Sequence, residues 1–384
     1  MASSKTEETS CVPDAIQNYT QTPAALPSAM VIFGAGGDLT KRKLIPALLH
    51  LCNAGLLPDS FAVLGLDRLD LDDDSFRDLM GKHIRDHVGA AFDQSVWERL
   101  VERLHYMKID MIEGADYECL RERLSKIDTH RETEGNYLFY MAIPPSLFPH
   151  VTSRLGESGL LQETENDWRR VVIEKPFGQD LESAVALNRK LHDNLDERQI
   201  YRINHYLGKE TVQNIMVFRF ANGFIEPLWN HHHIDHVQLT VAESVGVEHR
   251  RAYYVEQVDP NMLVLRIQPA EGIQMSFSAK VPGPTMGVGT VDMDFCYEDY
   301  FGNKPATGYE TLIYDCMNGD VTLYKHADTV EKGWEIVQSV MGVWAALPPR
   351  DFPNYAAGTW GPTAAGGLLK NDGRLWRRIK IPNQ

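Results

Sequence analysis

Three groups of residues in this chain have the types and spacing to bind phosphates. The first is Gly34-Ala35-Gly36-Gly37-Asp38-Leu39, which directly follows the apolar run Ala29-Met30-Val31-Ile32-Phe33. Glycines let a backbone come close to a pyrophosphate, and the free amides of the helix that follows favour anions. Leu39 stands where a third glycine is usual, so the strand before and the helix after carry this reading. The second group, Gly65-Leu66-Asp67-Arg68, closes the next apolar run. An acid there hydrogen-bonds the ribose hydroxyls of NAD, whereas an arginine accommodates the 2′-phosphate of NADP. Arg68 points to NADP, Asp67 keeps NAD open, and the plainer alternative makes both solvated loop charges.

The third group is cationic. Residues 171–173 lead into Glu174-Lys175-Pro176-Phe177-Gly178. A lysine at the carboxyl end of a parallel strand enters the crevice where ligands bind, although a surface lysine before a turn-setting proline fits the local sequence equally well. Further on, His205 and Lys209 lie four residues apart in Asn204-His205-Tyr206-Leu207-Gly208-Lys209-Glu210. In a helical segment that pair shares one face and can grip one phosphate, though such pairs are also common on helix surfaces. His231, His232, His233 and His236 read as a solvated loop with incidental metal affinity, and no metal site is expected.

The elements that must position these groups follow from the patterning. Residues 1–28 are rich in small and polar types without periodicity and are expected to form a flexible tail. Continuous apolar runs at 29–33, 61–66, 138–143 and 171–173 predict strands buried on both faces, separated by helical stretches. That alternation predicts an α/β fold, with residues 29–203 as a Rossmann-type, doubly wound dinucleotide-binding domain. Pro46 should kink or break the first helix, and Gly55 should end it. A helix is predicted over 180–194, capped by Asp180, with Leu181, Ala184, Val185, Leu187 and Leu191 as its apolar stripe. The alternation at 236–241 predicts a strand and, with it, a C-terminal α+β region, 204–384, built on a mostly antiparallel sheet.

A chain of 384 residues exceeds the usual size of a single core, so two domains are expected. The formal charge of −15 disfavours nucleic acid and anionic membrane as partners, but permits a small phosphorylated ligand in a locally basic cleft. Five cysteines, none in a C-x-x-C pair, read as reduced, buried thiols. With no basic-apolar leader and no run of membrane-spanning length, a cytoplasmic location is expected.

Several ordered motifs resemble the glucose-6-phosphate dehydrogenase family. They are the run from Phe33 to Leu44, Ala142-Ile143-Pro144-Pro145, Glu174-Lys175-Pro176-Phe177-Gly178 and Asn204-His205-Tyr206-Leu207-Gly208-Lys209-Glu210. Phe224-Ile225-Glu226-Pro227-Leu228-Trp229-Asn230, Val241-Ala242-Glu243, Arg266-Ile267-Gln268-Pro269, Gly361-Pro362 and Asp372-Gly373-Arg374-Leu375-Trp376 extend it over nearly everything after the tail. The resemblance implies oxidation of glucose 6-phosphate at C1 to 6-phosphogluconolactone, with hydride passing to NADP, in a homo-oligomer, with residues 204–384 as the substrate and dimerisation domain. It implies that Gly34, Gly36, Gly37, Asp38 and Leu39 hold the pyrophosphate, that Arg68 holds the 2′-phosphate, and that Pro144 borders the coenzyme. Lys43 and Lys175 are then placed between coenzyme and sugar. His205, Tyr206 and Lys209 take the sugar phosphate, and Glu243 takes a sugar hydroxyl.

Two departures from that pattern bear on activity. Asn204 stands where the family has an aspartate that orients the catalytic histidine; an amide is nearly isosteric but uncharged. After Glu256 the family continues into a helix carrying Asp-Met-x-Gln-Asn-His, whose histidine is the base, and later into an Arg-Thr-Gly-Lys segment. Here Gln257-Val258-Asp259 runs directly into Pro260-Asn261-Met262-Leu263, so an internal deletion is expected near 257–260, removing the base. A catalytically impaired coenzyme-binding isoform is therefore the alternative to an active dehydrogenase.

Overall fold

The computed structural model describes residues 22–89, 92–239, 261–267, 271–282, 288–301, 308–347, 354–356, 359 and 361–376. The expected tail, apart from its last few residues, and the junction at 257–260 (save for residues from 261 on) lie outside the described residues.

Apolar runs without polar alternation form the central strands: β1 (Ser28–Phe33), β2 (Phe61–Asp67), β4 (Tyr137–Met141) and β5 (Arg169–Ile173). Two more parallel strands, β3 (Leu104–Lys108) and β6 (Ile200–Ile203), complete the set. The sheet order is β10-β6-β5-β4-β1-β2-β3, where β10 (Tyr324–Lys325) pairs antiparallel with β6. The order therefore reverses between β1 and β4, the place where doubly wound sheets open a crevice at their carboxyl ends.

Successive β1 residues feed opposite faces, as a pleated strand requires. Met30 and Ile32 pack in a core with Leu48 of α1 (Ile45–Asn53), Phe76 of α2 (Asp73–Val88), Trp97 of α3 (Gln94–Val101) and the later Leu312. Val31 and Phe33 pack with Leu120 of α4 (Ala115–Arg131), Val151 of α5 (Phe148–Glu157) and Leu191 of α6 (Leu181–His192). Pro46 sits in the first turn of α1, directly after a π-helical turn, Thr40–Leu44, so the proline marks a change of helix type. Gly55 follows α1 with φ +68°. Asp180 caps α6 by accepting from the Ser183 amide at 2.8 Å. The helix ends at His192, and Asn188 takes a buried place on its stripe, donating to Glu331 at 2.8 Å.

The chain divides into two compact units, Met1–Glu210 with Ala306–Gln338, and Thr211–Pro305 with Ser339–Gln384. In this division α9 (Tyr309–Asn318), β10 and the first part of α10 (Ala327–Ala346) return to the first unit. Trp334 Nε1 donates to the Phe177 carbonyl at 3.0 Å, which ties α10 to the loop before α6.

The second unit contains an antiparallel sheet, β7 (Met262–Arg266), β8 (Gly272–Lys280) and β9 (Val288–Cys296), as the α+β expectation required. It also holds most of α7 (Glu210–Phe220), together with α8 (Tyr297–Phe301) and α11 (Ala365–Lys370). The strand expected at 236–241 is not formed over 236–239, and the remainder lies outside the described residues. Val237 and Leu239 are 70% and 82% exposed, so alternation there lacks the buried face that would make it a strand. Val288 and Met293 of β9 are also largely exposed.

Candidate active site

The glycine turn is fixed from below. Gly34 has φ +86°, and a Cβ there would stand 2.3 Å from the Ala142 carbonyl oxygen and 3.1 Å from Ile143 Cγ2. Only glycine fits, because the loop after β4, which carries Ala142 to Pro145, presses against the turn. The Gly37 amide and the Thr40 hydroxyl both donate to the Gly34 carbonyl, at 3.0 and 3.2 Å. A Cβ at Gly37 would meet only that same oxygen, at 3.1 Å, which leaves its other side open to a ligand. Asp38 and Leu39 open the helical stretch beyond it, and Lys43 is exposed on the π turn. The turn sits at the carboxyl end of β1, where the strand order reverses. It has the shape and the first-turn amides that a dinucleotide pyrophosphate needs.

Asp67 and Arg68 take different places at the end of β2. Asp67 turns its carboxylate to the backbone: Oδ2 accepts from the Gly36 amide and Oδ1 from the Arg68 amide, both at 2.7 Å. The Gly36 amide is thereby committed to Asp67, and Arg68 is left exposed at the end of β2.

Lys175 lies two residues beyond β5. Its Nζ donates to Asn204 Oδ1 at 2.7 Å and stands 5.3 Å from the centre of the Tyr206 ring. Partial burial holds its pKa below the usual lysine range and nearby Lys325 adds to that, while the Glu174 charge opposes it. Glu174 is mostly buried beneath Lys175. Its carboxylate accepts from the Tyr140 hydroxyl at 2.5 Å, and the Tyr309 hydroxyl lies beside it. Burial raises the Glu174 pKa against the pull of both hydroxyls and Lys175.

The structure changes the reason that His205 and Lys209 converge. Residues 205–208 form a turn after β6, so no shared helix face brings the two together. Tyr206 does so instead. The His205 ring lies 4.5 Å from the Tyr206 ring, and Lys209 Nζ lies 5.0 Å from its centre. Two lysines from separate motifs therefore meet at one aromatic ring. Asn204 Oδ1 also accepts from the Tyr206 amide at 3.3 Å, so the amide side chain ties Lys175 to this turn. Glu243 lies outside the described residues. Of the histidine run, His236 Nδ1 is 2.6 Å from Asp235 and His233 Nδ1 is 3.1 Å from Asn230.

Sequence reasoning assigned no role to Tyr140, Glu174 or Tyr309. Tyr140 carried a signal, since a hydroxyl in a wholly apolar strand needs a buried partner. Tyr309 carried none, being more than a hundred residues from either motif it touches.

Residues 31–214 match a family described as "Glucose-6-phosphate dehydrogenase, NAD binding domain". Residues 216–257 and 255–377 match "Glucose-6-phosphate dehydrogenase, C-terminal domain". The chain belongs to the glucose-6-phosphate dehydrogenase family. Among similar members, the glucose-6-phosphate 1-dehydrogenase of Aggregatibacter actinomycetemcomitans is 34% identical, over 91% of this chain and 97% of the relative. Glucose-6-phosphate 1-dehydrogenase 2 of Mycobacterium tuberculosis H37Rv is 31% identical, over 92% and 95%. The first of these alignments runs over 484 positions against the 384 residues of this chain, so at least 100 positions have no counterpart here. The family fold is shared with a solved glucose-6-phosphate dehydrogenase in complex with glucose 6-phosphate (TM-score 0.76, 23% identity, covering 93% of this chain and 100% of that one). It is shared also with glucose-6-phosphate 1-dehydrogenase from Mycobacterium avium (TM-score 0.72, 24% identity, covering 94% and 100%). Family membership makes this chain an oxidoreductase with a nicotinamide dinucleotide domain.

Proposed function

We propose that this chain oxidises glucose 6-phosphate at C1 to 6-phosphogluconolactone with NADP as coenzyme. The observation that carries the reading is the meeting of Lys175 and Lys209 at the Tyr206 ring, with His205 beside it, at the carboxyl edge of a dinucleotide-binding sheet. In this reading Lys209, His205 and Tyr206 bind the sugar phosphate, and Glu243 takes a sugar hydroxyl. Lys175 lies between sugar and nicotinamide, where its Nζ can hold the C1 oxygen. Gly37, Asp38 and Leu39 would hold the pyrophosphate, with Gly34 and Gly36 shaping the turn, their amides bound to Leu66 and Asp67, Pro144 and Lys43 at its border and Arg68 on the 2′-phosphate. Bound NADP supplies the hydride acceptor. The choice of NADP over NAD rests on Asp67 facing the glycine turn while Arg68 stays exposed.

The proton-accepting role has no assigned residue, because the histidine the resemblance implies falls in the segment expected to be missing. The C-terminal match in two pieces that meet at 255–257 supports a deletion there, and the 484-position alignment agrees that residues are missing from this chain. Asn204 in place of the family aspartate adds a second loss: it holds Lys175 through a neutral oxygen. These two observations favour a second reading, a catalytically impaired coenzyme-binding member. The exposed Val288 and Met293 on β9 support self-association into a homo-oligomer, and we place the protein in the cytoplasm.

The test is glucose-6-phosphate-dependent NADP reduction by purified, folded protein, followed at the absorbance of the reduced nicotinamide. Turnover supports the first reading. NADP and glucose 6-phosphate binding without turnover supports the second, and failure to bind either ligand refutes both.

A further inference from the structure

We propose that Tyr309, supplied by the returning segment, is a positioning residue that holds the His205 turn and the Lys175 strand end in fixed register. The proposal rests on the functional reading above. Its ring lies parallel to His205, 6.4 Å between centres with 7° between planes. Its hydroxyl lies by the carboxylate of Glu174, the residue immediately before Lys175, and burial together with that charge pushes its pKa up. One side chain thus touches both motifs, the imidazole by its face and the lysine strand end by its oxygen. Stacking fixes the plane of the His205 ring, and so the directions in which its nitrogens meet a phosphate.

The frame around Tyr309 is built to resist movement. Gly308 precedes it with φ +90°, and a Cβ at Gly208 would stand 2.4 Å from the Gly308 carbonyl oxygen. Two glycines therefore let the backbone entering α9 lie directly on the backbone of the phosphate-binding turn. Behind Tyr309, Leu312 of α9 is fully buried and Glu310 pairs with His50 of α1 at 2.8 Å. Tyr309 itself is 8% exposed, so its ring has little freedom. Tyr309 thus faces His205 with its ring and, with its hydroxyl, the carboxylate buried beneath Lys175.

The test compares the unaltered chain with Tyr309→Phe and Tyr309→Leu, measuring glucose 6-phosphate and NADP affinities separately by calorimetry. Phenylalanine keeps the ring against His205; leucine removes it. The expected result is a loss of glucose 6-phosphate affinity of about five- to tenfold in Tyr309→Leu, restored to within about threefold of the unaltered chain in Tyr309→Phe, with NADP affinity unchanged in both. Equal glucose 6-phosphate affinity in all three proteins overturns the proposal. So does a loss in Tyr309→Leu that extends equally to NADP, because that marks a fold-wide effect. Glucose 6-phosphate that fails to bind even the unaltered chain, while NADP binds, overturns the functional reading and this inference with it.

Discussion

Arg68→Ala is the sharpest test of coenzyme choice, because the structure separates what Arg68 does for the fold from what it offers a ligand. Its backbone amide donates to Asp67 Oδ1 at 2.7 Å, a bond that alanine keeps. Asp67 retains its grip on the Gly36 amide, also at 2.7 Å, so the glycine turn stays shaped. The guanidinium is exposed, and its removal leaves the folded core untouched. What disappears is a planar, permanently charged donor that the proposed function places beside the adenosine ribose. A hydrogen bond to a charged group contributes about 1.5–3 kcal/mol, and an exposed site favours the lower half of that range. At roughly 1.4 kcal/mol per tenfold, NADP affinity should fall about 10- to 30-fold. NAD has no phosphate there, so its affinity should stay within about twofold. The assay is titration of each coenzyme against the intrinsic fluorescence of both proteins, repeated at two salt concentrations. The NADP loss should shrink at the higher one, because screening weakens an exposed ion pair. Equal losses for NADP and NAD, or unchanged NADP affinity, would refute the argument.

Three further perturbations follow from the same geometry. Gly34→Ala forces a side chain into φ +86° and a Cβ to 2.3 Å from the Ala142 carbonyl, so thermal melts should show a loss of about 3 kcal/mol or more, together with lost coenzyme binding. Burial lifts the Asp315 pKa to about 6 from 3.8, with nearby Asp320 adding to it. The unfolded chain then gives up this proton first as pH rises, so the group's contribution to stability is full below about 3.8 and falls away up to about 6. Asp315→Asn should therefore stabilise the protein at pH 7 by about 1 kcal/mol after discounting for its partial exposure, and by little at pH 3.5, as read by denaturant titration. Asn204→Asp puts a carboxylate at the place now 2.7 Å from Lys175 Nζ, which should raise the lysine pKa and slow its modification by an amine-reactive reagent near pH 9; an unchanged rate would count against the contact.

The central strands were readable because a strand buried on both faces has no alternation to hide it. β1, β2, β4 and β5 all announced themselves that way, and the glycine turn followed from what precedes and follows it. β3 escaped notice because Leu104 and Tyr106 are buried while His105 and Lys108 are not, in a stretch surrounded by helical charge. β6 was concealed inside the motif that it leads into, and β10 is only two residues long. The motifs around Lys175 and His205 stood out in the sequence, but their arrangement did not. Spacing suggested a helix face for His205 and Lys209, whereas a turn and the Tyr206 ring bring the cations together. Contacts made by residues far apart along the chain, such as Tyr309 with Glu174, leave no local pattern from which to infer them.

The strand that closes the sheet is also the last of it to be made. β6 ends at Ile203, and its cover, Tyr324 and Lys325, is synthesised more than a hundred residues later, after the region that forms the second sheet. At about 5–20 residues per second, the nascent chain carries an open β6 edge for roughly ten seconds, during which it can pair with a neighbour or a chaperone. The length of the intervening region sets that interval. Residues removed from it shorten the wait and ease the closure of the loop, while the sheet that results is the same.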